Sequence, residues 1–282
     1  MTVWRTTRFT IDLGQPQVMG IVNVTPDSFS DGGQYADAAD AIAHCDALLH
    51  DGAHILDIGG ESTRPGARVP SVEEELHRVL PVLQHALGLG VPVSVDTSQP
   101  RVMQAALDLG VDIVNDVRAL QRDGALDVLA GHASAGICLL HMQGEPGSMQ
   151  ATPRYDDVVA EVRAFLVSRL AALRARGIAA NRIVLDPGIG FGKTVGHNLS
   201  LLRRQRDLLD LGAPLLVGWS RKSTLGALTG RPAAQRQAAS VAAALLAVQR
   251  GARIVRVHDV AATVDALAVW RAVEDDQEAE EK

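Results

Sequence analysis

Aromatic residues are scarce in this chain. Phe, Trp and Tyr make up 3% of its 282 residues, while hydrophobic residues as a whole reach 47%. The core must therefore be assembled from Ala, Val, Leu and Ile, which suits strands covered on both faces in a parallel α/β arrangement. Cysteine is almost absent. Cys45 and Cys138 have no Cys or His partner at metal-ligand spacing, which argues against a cysteine metal site and predicts two core thiols in a reducing compartment. No apolar run approaches membrane-spanning length, and the opening MTVWRTTRFTIDLG contains no stretch suited to a signal peptide. The expected setting is cytoplasmic, with no membrane partner. Positive charge is not in excess either. The formal net charge is −6, and the run Glu274–Lys282, with six acids and one lysine, carries most of it. The rest of the body is nearly neutral, which excludes a general basic surface for nucleic acid. Residues 274–282 read as a solvated, disordered acidic tail without a catalytic role.

What the chain does have is a repeated unit. VMGIVNVTPDSFSDGG, residues 18–33, runs apolar through Val22 and then turns polar at Asn23, Thr25, Asp27 and Ser28. That predicts a buried strand opening into a Gly-closed loop. The same switch recurs, giving eight strand candidates: Val18–Asn23, His54–Ile58, Val91–Val95, Asp112–Asn115, Gly136–His141, Arg182–Asp186, Pro214–Gly218 and Arg253–Val257. Helical patterns separate them at 37–51, 72–87, 99–109, 124–131, 155–176, 198–209, 233–250 and 260–273, with Gly or Pro at most junctions. Joins such as DGAHILDI, LGVDIVND and RGARIVRV repeat one motif, a helix closing near Gly before the next strand. Eight such units predict a single (β/α)₈ barrel of the TIM type over 18–273, for which about 250 residues is usual. An open doubly wound sheet is the alternative. Val3–Leu13, within residues 1–17, reads as a short hairpin packed on one end of the barrel.

In such barrels the active site lies at the C-terminal strand ends. Here those ends carry Asn23; Asp57 with Glu61, Ser62, Thr63 and Arg64; Asp96 and Thr97; Asn115 and Asp116; His141; Asp186; Ser220, Arg221 and Lys222; and Arg256 with His258. Asp96 and Asp186 suit amino or guanidine-like donors, in charge-assisted hydrogen bonds of about 1.5–3 kcal/mol each, with Asn115 able to donate and accept beside them. Arg256, His258, Lys222 and the start of the helix after Ser220 suit an anion. The implied ligand has a donor-rich heterocyclic head and an anionic, phosphorylated part. Two look-alike motifs are declined. DPGIGFGKT, residues 186–194, has Pro187 where a Walker pattern ending at Lys193 needs Gly, and GIGFG misses the dinucleotide spacing. Its glycines instead predict close backbone approach to a flat ligand, with Phe191 as a packing surface. The absence of a G-x-S-x-G elbow and of H-E-x-x-H disfavours hydrolase and zinc-enzyme readings.

Taken together, GIVNVTPDSFSDGG, DIGGESTRPGA, VSVDTSQPRVMQAAL, IVNDV, LLHMQG, LDPGIGFGKTVGHNLSLL, GWSRKS and RVHDV resemble the dihydropteroate synthase family, in order and over nearly the whole barrel. The resemblance implies a Mg²⁺-dependent transferase of folate biosynthesis, a sulfonamide target and a homodimer. It joins para-aminobenzoate to a dihydropterin methyl diphosphate through a cation at the methylene carbon. By matching positions, Asp96, Asn115, Asp186 and Lys222 hold the pterin, with Arg256 against it. Asn23 ligates Mg²⁺, and Asn23, Arg256 and His258 grip the diphosphate. Phe29, Thr63, Arg64 and Pro65, with Phe191, Lys222 and Ser223, frame para-aminobenzoate. Loops 24–35 and 61–70 are expected to close over the reaction. The family pattern is departed from at Trp219, where a small or aliphatic residue is usual, and at Leu140, where Met is common. Two alternatives stay in view: a non-catalytic pterin-binding paralogue and a related pterin-barrel methyltransferase. The small, apolar 238–247 stretch suits either a dimer contact or barrel-facing core.

Overall fold

The computed structural model describes residues 2–25, 34–61, 68–145 and 147–274, without the side chains of 34–37. Eight strands, all parallel, close into a barrel. They are β3 (Gln17–Asn23), β4 (Ile55–Gly59), β5 (Val93–Asp96), β6 (Ile113–Asp116), β7 (Gly136–Leu140), β8 (Ile183–Asp186), β9 (Leu215–Val217) and β10 (Ala252–Val257), with β10 pairing back onto β3. Each is one of the eight expected strands, with no end shifted by more than two residues. The open-sheet alternative is excluded by that closure.

Around the barrel run α1 (Gln34–His50), α2 (Val72–Ala86), α3 (Pro100–Asp108), α4 (Ala125–Gly131), α5 (Val158–Ala175), α6 (Val195–Arg203), α7 (Ser223–Thr229), α8 (Gln237–Val248) and α9 (Val260–Glu274). Their starts have local causes. Ser71 and Glu74 form a capping box on α2, Thr194 and His197 form one on α6, and Asp157 accepts from the N–H groups of Val159 and Ala160 to start α5. That last cap explains why α5 begins three residues after the expected Tyr155. The stretch expected as one helix over 198–209 is α6 followed by a 3₁₀ segment at Gln205–Leu211. The helix expected after Ser220 is α7, a short helix ending at left-handed Gly230. Ala243, Ala244 and Ala247 of α8 are buried in the layer between strands and helices, so one face of the 238–247 stretch is barrel-facing core, while Ala238, Ala242 and Leu246 on its other face are exposed. Trp219 joins the same layer, 2% exposed, which settles its direction as inward to the core.

The hairpin is present as β1 (Val3–Arg5) and β2 (Thr10–Asp12), antiparallel with Trp4 opposite Ile11. Trp4, Ile11 and Leu13 pack against Met19, Ile55, Ile113, Cys138, Val184, Leu216 and Ile254, which plugs the N-terminal end of the barrel. Polar bonds fix the plug. Trp4 Nε1 donates to the Arg182 carbonyl at 2.9 Å, and the Arg8 guanidinium donates to fully buried Asp112, which also accepts from Val93 N. Because strand side chains alternate, the residue two positions beyond each plug residue also faces the barrel axis. That second layer reads Ile21, Asp57, Asn115, Leu140, Asp186, Gly218 and Arg256, with Asp96 two beyond buried Ser94.

Candidate functional site

The second layer and the loops above it line a cavity of about 490 Å³ at the C-terminal mouth. Asn23, Asp96, Asn115, Asp186, Phe191, Lys222, Ser223, Arg256 and His258 all border it, as do Glu61, Ser220 and Arg221. So every expected site residue that is described comes to one place. Phe29, Thr63, Arg64 and Pro65, and most of the two loops expected to close, lie outside the described residues. Several strand-end residues do not border the cavity. Thr97 and Asp116 point away by alternation, and Asp116 is buried. Asp116 instead accepts from the N–H groups of Arg118 and Leu120, holding Ala119 and Leu120 in left-handed backbone at φ 50° and 58°. His141 is likewise buried beside the cavity, not in it.

The floor is an ion network. Arg256 Nε donates to Asp57 Oδ2 at 2.5 Å and Nη2 donates to Asp96 Oδ2 at 2.6 Å. Asn115 Nδ2 donates to the same Asp57 oxygen at 3.1 Å. Asp57, which the motif carry-over left without a role, is thus the anchor of Arg256. One oxygen of Asp96 is already engaged, so Asp96 is half an open acceptor. Asp57 Oδ1 and Asn115 Oδ1 are buried with no hydrogen-bond partner among the described residues. Such orphaned acceptors cost about 1–3 kcal/mol each unless a ligand or water meets them. Burial pushes the Asp96 carboxyl up to about 7 against the pull of Arg256, and pushes Asp186 up to about 6 against its bond from Gly188 N and the nearby lysines. Lys222 moves the other way, down to about 8, through burial and the Arg256 charge.

On the cation side, the Arg221 backbone is left-handed at φ 57°. Its N–H donates to Ser240 Oγ at 2.9 Å, its carbonyl accepts from Arg236, and its guanidinium pairs with Asp259 at 2.6 Å. This held turn delivers Lys222 to the cavity. Lys222 Nζ sits 4.1 Å from the centre of the Phe191 ring, a cation–π contact. His258 is pushed down to about 3 by burial and by Arg221 and Arg256, so it is neutral. Its Nδ1 lies 2.9 Å from Ser220 Oγ, whose oxygen also accepts from His258 N at 3.1 Å. An imidazole accepting the serine proton at Nδ1 carries its own proton at Nε2, a neutral donor for an anion. The helix expected to help an anion is α7, and its seven residues are too few for an anion site of their own. Arg256, Lys222 and neutral His258 border the cavity as donors.

The loop 187–194 completes the wall. Gly188 and Gly192 have φ of 71° and 61°, and a Cβ on either would lie 1.8 Å or 2.3 Å from the carbonyl oxygens of His141 and Gln143. Glycine is compulsory at both. Gly190 N donates to Asn198 Oδ1 at 2.9 Å, and Asn198 Nδ2 donates to Thr224 Oγ1 at 2.8 Å, tying this wall to α7. Gln150 donates to the Gly190 carbonyl from the loop after β7. Gln150 and Met149 carried no signal in the sequence, because only the fold brings them here, and Asn198 lies in the 185–202 motif without an expected role.

A model of the family described as "Pterin binding enzyme" matches residues 19–258. The dihydropteroate synthase of Neisseria meningitidis serogroup B is 57% identical over 277 residues, covering 96% of this chain and 97% of that protein. Among solved structures, Xanthomonas albilineans dihydropteroate synthase with 4-aminobenzoic acid superposes with a TM-score of 0.91 at 50% identity, covering 98% of this chain and 99% of that one. The Burkholderia cenocepacia dihydropteroate synthase complexed with 7,8-dihydropteroate gives a TM-score of 0.88 at 48% identity, covering 96% of both chains.

Proposed function

The chain belongs to the pterin-binding enzymes, among the dihydropteroate synthases, and from that membership we propose how its barrel mouth works. It is a transferase of folate biosynthesis that condenses (7,8-dihydropterin-6-yl)methyl diphosphate with para-aminobenzoate, giving 7,8-dihydropteroate and diphosphate. The observation that carries the residue assignment is the floor, where Asp96, Asn115 and Asp186 present acceptors and one of them, Asn115 Oδ1, is buried and orphaned. The pterin's aminopyrimidine edge, rich in N–H donors, meets Asp96, Asn115 and Asp186. Lys222 meets its acceptor side, and Arg256 lies against the ring while Asp57 and Asp96 hold it. The para-aminobenzoate subsite is formed by Phe191, Lys222 and Ser223, with Phe29, Thr63, Arg64 and Pro65 supplied by the two loops outside the described residues.

In the reaction the methylene C–O bond breaks, its electron pair leaving on diphosphate, and the aniline nitrogen forms the new C–N bond and sheds a proton. The pterin ring's electron release supports a cation at the methylene, so the protein need not supply a strong base. Its tasks are to hold the leaving anion and to exclude water. Asn23, Arg256 and His258 take the first, with His258 as a neutral Nε2–H donor. For Mg²⁺, the donor set is informative. Asn23 offers one amide oxygen at the cavity edge, and among the described residues no group of three His, Cys, Asp or Glu side chains stands ready to hold a metal. Asn23 would hold Mg²⁺ there, and the ion would supply charge neutralisation for the leaving diphosphate. The buried thiols of Cys45 and Cys138 support a reducing, cytoplasmic setting, and a homodimer is the expected assembly.

The test is diphosphate release from the dihydropterin methyl diphosphate, with and without para-aminobenzoate. Release that depends on para-aminobenzoate and yields dihydropteroate is expected. Tight pterin binding with no release would instead favour a non-catalytic paralogue.

A further inference from the structure

Lys193 is a buried lysine at the edge of the site that the reaction scheme leaves without a task. It is 3% exposed. Its Nζ lies 2.9 Å from the Gly188 carbonyl oxygen, 3.0 Å from that of Phe191, 2.9 Å from His141 Nδ1 and 3.3 Å from the His141 carbonyl oxygen. The ammonium has three protons, and these acceptors use them all. Burial holds His141 neutral and pulls Lys193 down to about 7, and the two share a hydrogen bond whichever of them carries the proton between Nζ and Nδ1. The His141 ring is fixed in turn by an edge contact with Phe165, centroids 4.8 Å apart.

The arrangement has a direction. His141 belongs to the end of β7, while Gly188 and Phe191 belong to the loop that follows β8. Lys193 therefore ties two neighbouring strand ends together through the backbone of the loop that carries Phe191. The loop lies so close to the end of β7 that only glycine fits at 188 and 192. Beside it, Tyr155 Oη donates to the Gly192 carbonyl at 2.9 Å. On the cavity side the same loop sets the second-substrate wall: Lys222 Nζ rests 4.1 Å from the Phe191 ring centre, and its stem packs on Gly190.

We propose that Lys193 is a positioning residue for para-aminobenzoate: its buried amino group pins the 187–194 loop and so fixes the Phe191 ring against Lys222. This rests on the reading of Phe191 and Lys222 as part of the para-aminobenzoate subsite. Asp186 is placed by β8, and the Lys193 charge acts on its carboxyl only alongside the Gly188 N–H, Lys222 and Arg256, so the pterin floor depends on the pin far less than the loop does. The two substrates should therefore respond unequally.

The experiment compares Lys193→Met, which keeps the length and removes every donor, and Lys193→Gln, which keeps a donor should the first fail to fold. Each is set against Phe191→Ala and the corresponding double variant. Steady-state kinetics are read at a temperature well below each variant's melting point, with calorimetry of the dihydropterin diphosphate. The expected result is a KM for para-aminobenzoate raised about tenfold by the Lys193 variant, as for a misplaced binding group. The dihydropterin Kd should stay within about threefold of wild type. Phe191→Ala should raise the same KM, and the double variant should be little worse than Phe191→Ala alone, because one side chain acts through the other. An unchanged KM in both Lys193 variants, equal losses for the two substrates, or additive effects in the double variant would overturn the proposal. A Phe191→Ala variant with unchanged KM would overturn the subsite reading beneath it, which separates the two failures.

Discussion

The two ends of the barrel interior are built from the same strands, two residues apart, and they obey opposite rules. On β8, Val184 is 0% exposed and Asp186 3%; on β4, Ile55 and Asp57 are both 0%. Burial is the same, and chemistry is not. The N-terminal layer is apolar and plugged by Trp4, Ile11 and Leu13, with the Trp4 indole N–H satisfied. The mouth holds Asp57, Glu61, Asp96, Asn115, Asp186, Lys222 and Arg256, with orphaned oxygens on Asp57, Glu61 and Asn115 and carboxyls pushed up by burial. One end is arranged for the stability of the barrel. The other keeps unmet hydrogen-bonding capacity in low dielectric, which is costly to the free protein and available to a ligand.

The sharpest way to break this contrast is to exchange the rules along one strand. Val184→Asp puts a carboxylate into the plugged layer and should cost more than about 4 kcal/mol, enough to prevent folding, by urea denaturation. Asp186→Asn should fold with an equal or higher denaturation midpoint and bind the dihydropterin at least roughly thirtyfold more weakly by calorimetry, since charge-assisted bonds are lost. A well-folded Val184→Asp protein would show that the two layers differ in occupancy and not in tolerance.

A smaller effect follows from titration. Asp186 is raised from 3.8 to about 6 in the fold, chiefly by burial, so its protonated form is favoured there. Its carboxyl therefore contributes to stability at low pH, and that contribution is lost as pH rises through about 6. The melting-temperature advantage of Asp186→Asn over wild type should be largest at pH 8 and shrink as pH falls from about 6 toward 4. Pterin affinity of the wild type should run the other way, weakening as Asp96 and then Asp186 protonate below about 7 and 6. An advantage that stays constant with pH would remove the ionised carboxylate as its cause.

The mildest probe lies between the two layers. Ser94 Oγ is buried with no partner among the described residues, an orphan on the stability side. Ser94→Ala should be neutral or stabilising by up to about 1 kcal/mol, read from the shift in denaturation midpoint. A clear loss would mean that the hydroxyl is doing something for the mouth above it.

Much of this was legible from the chain. Apolar runs that turn polar marked all eight strand ends, and the mixed chemistry of those ends announced a donor-rich head with an anionic part. What the sequence left unresolved was direction. Asn115 and Asp116, or Asp96 and Thr97, look equivalent as neighbours; only strand register sends one of each pair inward. His141 looked like a mouth residue and is a buried partner of Lys193 instead, because the loop 187–194 folds down over it. The part of that loop that resembled a phosphate site turned out to use its lysine internally. Helix α7 was marked only by its start after Ser220, because seven residues containing Gly226 and two threonines give little periodicity. That glycine has a packing cause: a Cβ there would lie 2.2 Å from the Arg236 guanidinium. Gln150 and Tyr155 reach the site from other elements, so no local pattern could have marked them.

The plug also sets a timetable. Trp4 Nε1 bonds the carbonyl of Arg182, and β3 closes the barrel against β10, so the earliest-made segments need the latest-made ones. At typical translation speeds of about 5–20 residues per second, the hairpin waits roughly 10–35 seconds for its indole acceptor to be synthesised. Through that interval Trp4, Ile11 and Met19 have no permanent partners, and a parallel barrel with such distant pairings gathers its contacts slowly. The first two dozen residues are where a chaperone would find this chain unfinished.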